Sequence, residues 1–211
     1  MGLFEKPPLH EIHDFLRRHR ALIVHFSGTP PSGNTDIRYP DDLRRVIEGS
    51  AAVMTGIACS VVKPGDVFIG TEGRNAYGTI GIIVDLFDEQ SLATATRGDG
   101  GSLWYGEGPR EFEEQDLSVA DLERSIEGRD GNNEWGVRNF IVRGLFVINP
   151  VEICQLVDHG EGPTNAILPY SIAQVANDFR GMRIYSFADN QIVELHPRGH
   201  LPVVDHPELY R

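Results

Sequence analysis

The chain has 211 residues, 40% hydrophobic and 24% charged, with 31 acidic against 19 basic side chains and a formal net charge of −12. That length and balance fit a single globular domain spanning residues 1–211 with a buried core. So negative a charge argues against non-specific binding to a nucleic-acid backbone, which needs a cationic face, although a nucleotide held in a local basic pocket stays open.

Pro7 and Pro8 precede a helical pattern over residues 9–20, where Ile12, Phe15 and Leu16 recur at helical spacing. Arg17, Arg18 and Arg20 read as its solvated face. Within it, His10 and His13 stand three residues apart, a spacing that can hold a metal if His25, Asp85 or His159 adds a third ligand. On a charged N-terminal helix, two solvated histidines are the expected reading. Residues 21–26 form a short apolar run closed by Ser27-Gly28 and read as a buried strand. Residues 29–40, rich in Pro, Gly, Ser and Asn, read as a long loop. An acidic start at Asp41-Asp42 opens a second helix, with Leu43, Val46 and Ile47 inward and Gly49 at its end.

Residues 57–62 read as a strand closed by the Lys63-Pro64-Gly65-Asp66 turn, and residues 71–77 as a polar loop. Residues 79–86 are the clearest strand, apolar on both faces and hence central. Ser118, with Asp121 three residues on, marks a helix start whose stripe is Val119, Leu122 and Ile126. A turn at residues 130–133 leads into Glu134 and a β-rich segment over residues 135–148, stopped by Asn149-Pro150. A helix over residues 169–179 and a hairpin of residues 183–187 and 191–195 across Asp189-Asn190 follow. Residues 196–211, rich in Pro and His, are expected to lie along the surface. Strands and helices mix without regular alternation. The expected class is therefore α+β, a mixed and largely antiparallel split sheet with flanking helices.

Cys59 and Cys154 lie in separate apolar runs, so buried thiols are expected, and a four-cysteine zinc site is excluded. No run approaches the roughly 20 apolar residues of a membrane helix; a cytoplasmic protein with no membrane partner is the expectation. Phosphate-binding Gly-Lys-Ser/Thr loops, Gly-x-Gly-x-x-Gly, His-Glu-x-x-His and Gly-x-Ser-x-Gly are all missing, which disfavours P-loop enzymes, typical zinc proteases and α/β-hydrolases.

Five positions carry candidate chemistry. His25 interrupts an apolar strand and must find a polar partner there. It is either a core histidine bonded to a backbone carbonyl or an imidazole that grips a ligand, helped by Ser27 and the close approach that Gly28 permits. Ser60 is a structural hydroxyl or a pocket residue, and Tyr77 stacks on an aromatic ligand or packs. A Cys59 nucleophile served by His25 is disfavoured, because apolar surroundings raise a thiol's pKa. Glu134 is a turn carboxylate paired with Arg138, or a catalytic group at the mouth of a strand.

The series Val24-His25-Phe26-Ser27-Gly28, then Ala58-Cys59-Ser60 or Tyr77, then Asn133-Glu134-Trp135 resembles the ADP-ribosyltransferase family, in its His-Tyr-Glu form. In that family an early strand carries His or Arg, a second carries Ser or Tyr, and a later one begins with the catalytic Glu. The resemblance spans residues 20–150 and rests on single-residue motifs. No Ser-Thr-Ser triplet occurs, and Gly136 stands where a Glu-x-Glu pair would end. It implies a split mixed sheet that clamps NAD as substrate. It also implies that His25 binds the NAD ribose, that Tyr77 or Ser60 lines the nicotinamide pocket, and that Glu134 stabilises an oxocarbenium-like transition state. NAD-dependent ADP-ribosyl transfer or NAD hydrolysis is thus the expected activity. Two alternatives stand beside it: an acidic protein-interaction module of inhibitor or immunity type, favoured by the acidic stretch at residues 107–127, and a metal-dependent hydrolase using some of the eight histidines.

Overall fold

The computed structural model describes residues 4–26, 43, 47, 57–66, 80–97, 114–127, 133–148, 154–157, 166–169, 171–196, 199–202 and 209. Helix α1, Leu9–His19, opens the fold and buries Ile12, His13, Phe15 and Leu16. It stops because Arg20 turns left-handed at φ 50°, where its N–H bonds the Arg17 carbonyl and the Ala21 N–H bonds that of Leu16. Leu43 and Ile47 are helical positions, and Leu43 is fully buried.

The strands are β1 Leu22–Phe26, β2 Ile57–Val62, β3 Ile80–Leu86, β4 Leu92–Arg97, β5 Asn133–Val137 and β6 Phe140–Val147. They continue as β7 Cys154–Val157, β8 Ala166–Pro169, β9 Ile184–Ala188, β10 Gln191–His196 and β11 Gly199–Pro202. Nine form one sheet in the order β11-β10-β9-β6-β3-β1-β2-β5-β4, and β7 and β8 form a two-stranded ribbon. Every described ladder is antiparallel except β6–β9. The α+β class and the mixed, mostly antiparallel sheet follow. The strand at residues 80–86 is central, as its two-sided apolar pattern requires, and all seven of its residues are buried.

Helices α2, Val119–Ser125, and α3, Ile172–Asp178, begin at Ser118 and Ser171, each in a capping box with the third helical residue. Trp135 is fully buried and anchors both α1 and α2: its ring stacks 6.1 Å from Phe15, and its indole N–H donates to Ser125 Oγ at 2.9 Å. The β9–β10 hairpin turns through Asp189 and Asn190, with φ of 50° and 58°. Both central residues are left-handed, which matches a type I′ turn and the twist of the strands it joins. Part of the tail joins the sheet. Residues 199–202 add edge strand β11 to the sheet, and Leu209 is buried. Among the described residues no helix is long and apolar enough to cross a membrane.

Candidate functional site

Glu134 is the second residue of β5, inside the strand rather than in the turn before it. Its neighbours lock it in place. The Asn133 side chain accepts from Val61 N–H at 2.6 Å and donates to the Val61 carbonyl at 2.8 Å, which ties β5 to β2. Trp135 pairs with Cys59 on one side and Ala95 on the other. Side chains alternate along a strand, so Glu134 leaves the sheet on the face opposite Trp135. Thr96 stands directly across from it on β4, and the Thr96 hydroxyl donates to the Glu134 backbone carbonyl at 3.1 Å. Since Cys59 pairs with Trp135, the same antiparallel register brings Ser60 level with Glu134 and onto its face. Ser60, Glu134 and Thr96 thus form a polar row across β2, β5 and β4, each partly exposed. Arg138, the expected partner of Glu134, instead pairs with Glu114, which also lies 3.4 Å from Lys6 Nζ.

His25 lies one strand beyond Ser60. Val24 pairs with Ser60, so alternation sends His25 to the other face, that of Cys59 and Trp135. Its Nδ1 sits 2.7 Å from the Ala58 carbonyl. A carbonyl can only accept, so the ring carries a proton on Nδ1. The sheet therefore brings Ser60 and Glu134 together and leaves His25 on the opposite face. Ser27, Gly28 and Tyr77 lie outside the described residues.

Cys59 is buried, and desolvation, reinforced by the nearby Glu134 carboxylate, pushes its thiol well above the ordinary range. At neutral pH it is a packed thiol and a poor nucleophile. The side chain of Cys154 is outside the described residues.

Strands β1, β2 and β5 carry His25, Ser60 and Glu134 and are consecutive neighbours in the sheet, although more than 100 residues separate His25 from Glu134 in the chain. No family model, curated protein or solved structure matches this chain.

The histidine pair of α1 behaves differently from the expectation. His10 is exposed, but His13 is buried, with Nε2 2.8 Å from Asp85 Oδ1. His13 is not solvated, because the turn of α1 that buries Ile12 and Phe15 carries it against the sheet. Arg143 of β6 donates from Nε and Nη2 to the other Asp85 oxygen, at 3.1 and 2.7 Å. Asp85 thus meets two nitrogen-bearing side chains, and among the described residues no group of three His, Cys, Asp or Glu could hold a metal. His159 lies outside the described residues. One signal for this cluster was present in the sequence: Asp85 interrupts an otherwise apolar central strand, and a carboxylate buried there needs a charged or hydrogen-bonding partner.

Proposed function

We propose that the chain cleaves NAD at the nicotinamide ribose, as an ADP-ribosyltransferase or NAD glycohydrolase, with Glu134 as the catalytic residue. The observation that supports this reading is the register of β2, β5 and β4, which sets Ser60, Glu134 and Thr96 side by side on one face of the sheet. Asn133 and Trp135 fix the strand on both sides of Glu134, and a charge carried on a rigid strand suits the stabilisation of a developing cation. In the proposed step the bond between nicotinamide and the ribose C1′ breaks, and its electron pair leaves with nicotinamide. Glu134 bonds a ribose hydroxyl and stabilises the positive charge left on the sugar. Water, or a nucleophile of the target, then forms the new bond at C1′ and loses a proton. Ser60, on the same face, lines the pocket. His25 faces the other side of the sheet, where its ring bonds the Ala58 carbonyl, so the ribose contact that the resemblance implies for it is no part of this reading.

The net charge of −12 favours a second reading, an acidic module that binds a basic protein. Thermal melting separates the two. A ligand that binds the native state alone raises stability by about 2.7 kcal/mol at a hundred times its Kd. The proposal expects NAD or nicotinamide to raise the melting temperature. No shift with either, together with a stoichiometric complex with a basic protein, would leave the interaction module as the better account.

A further inference from the structure

We propose that the first half of β6 is an open sheet edge that takes up an extended, basic peptide segment of a partner protein as an added strand. Strands β3, β1 and β2 separate this edge from the strand of Glu134, and it does not depend on NAD turnover.

The register decides which backbone groups point outward. β6 pairs with β3 through Leu86 opposite Phe140, Asp85 opposite Ile141 and Val84 opposite Val142. The Phe87 N–H donates to the Asn139 carbonyl at 3.3 Å, which extends the same ladder by one bonded pair. Bonded pairs recur at every second residue of an antiparallel ladder. Ile141 therefore turns its N–H and C=O toward β3, and Phe140 and Val142 turn theirs away. β9 is the neighbour on that outer side, but it pairs with Leu145 and Phe146 and not with the residues before them. A bulge accounts for the gap. Gly144 stands opposite Ile83 and Val142 opposite Val84, so Arg143 is extra, and a bulge bends its strand. Among the described residues no group bonds the outward N–H or C=O of Phe140 or Val142.

The surroundings of this edge select its occupant. Donors and acceptors at alternate residues are matched by another extended chain. Ile141 is 37% exposed, and Phe87, its diagonal neighbour on the same face, is 66% exposed. A large apolar side chain on the added strand would lie against Ile141 and reach toward Phe87. Beside Val142 a cleft of about 410 Å³ leaves room for the incoming chain. Arg143 and Arg183 on its wall already face Asp85 and Glu194, so recognition there falls to the main chain and not to charge. Charge enters beyond Phe87. Asp88 and Glu89 follow it directly, no described cation pairs with either, and the whole chain carries −12. Lysine or arginine flanking the apolar residue complements that end. β9 closes the edge from Leu145 onward, so a short extended segment fits where the edge of a second folded sheet would meet β9.

The probe is the peptide acetyl-Lys-Thr-Val-Leu-Val-Thr-Lys-amide, titrated into the full chain while amide hydrogen exchange is followed by NMR. Without peptide, the Phe140 and Val142 amides should exchange fast and the Ile141 amide slowly. The peptide should bind and slow exchange at Phe140 and Val142. An analogue N-methylated at both valines loses the donors that face β6 and should bind at least about tenfold more weakly. An analogue with glutamate at both ends should also bind more weakly. Ile141→Lys removes the apolar contact and sets a like charge beside the basic peptide. It should weaken binding about tenfold at an unchanged melting temperature, because Ile141 is exposed. No binding at about 1 mM peptide, protection elsewhere on the sheet, or equal affinity for either analogue or for the Ile141→Lys variant would overturn the proposal. Self-association of the protein alone, with the same two amides protected, would give the edge to a second copy and overturn it as well.

Discussion

Asp85 shows how a single buried charge organises its surroundings. With 1% of its side chain exposed, it relies on His13 and Arg143 to replace the water it has lost. Removing either partner leaves one carboxylate oxygen without compensation. Arg143→Ala should therefore destabilise the fold by about 3 kcal/mol, the lower end of the range for breaking a buried pair, because Arg143 keeps some solvent contact. Urea unfolding of the variant checks this, and a loss under about 1 kcal/mol would mean that Asp85 finds other partners. Cys59 supplies a pH dependence. Its folded thiol titrates above the unfolded one, so the native state holds the proton longer. The stability this contributes is complete below the unfolded pKa of about 8.5 and falls as pH rises toward the folded value. The stability difference between wild type and Cys59→Ala should be constant from pH 6 to 8 and shrink above pH 9. A difference independent of pH would show that Cys59 ionises equally in both states. At this scale the sequence exposed the problem posed by Asp85 and by His25 but not their partners. His13 is 72 residues from Asp85, and which helical face meets the sheet depends on packing.

Among the elements, local chemistry decided what could be read. The capping box at Ser118, the strand at residues 57–62 and the β9–β10 hairpin were legible, because each is specified by neighbouring residues. Strand β4, Leu-Ala-Thr-Ala-Thr-Arg, was not, because small residues give a weak alternation signal; it exists because β5 pairs along it. Strand β11 was missed for a similar reason, with Pro202 suggesting a loop, although an edge strand tolerates proline at its end. Two consequences can be measured. Ser118→Ala removes a cap and should cost α2 about 1 kcal/mol, seen as an earlier urea midpoint at unchanged slope. Gly81→Ala tests the β1–β3 contact. A Cβ there would stand 2.5 Å from Val24 Cγ1 and 2.8 Å from the His25 carbonyl. The strands must part, at a cost of about 1–3 kcal/mol. A stability equal to wild type would mean that this seam yields freely.

Across the whole molecule, the arrangement of strands carries the account. Sheet order β1-β2-β5 joins segments that begin at residues 22, 57 and 133, and only the closed sheet makes them neighbours. The α+β class was legible from the mixture of elements, whereas strand order was not, because long-range pairing leaves no local trace in the chain. The same limit applied to the candidate site. The residue types of His25, Ser60 and Glu134 were visible, but their faces depend on register, which places Glu134 with Ser60 and Thr96 and turns His25 away. Glu134 is thus the residue on which the proposed chemistry stands. The most direct measurement is the release of free nicotinamide from NAD by the purified protein, wild type beside Glu134→Gln. The account expects release by the wild type and a fall of at least about a hundredfold in the variant, the scale of losing one preorganised electrostatic group, with its melting temperature unchanged. Equal release by the two proteins, or none from a folded wild type, would contradict it.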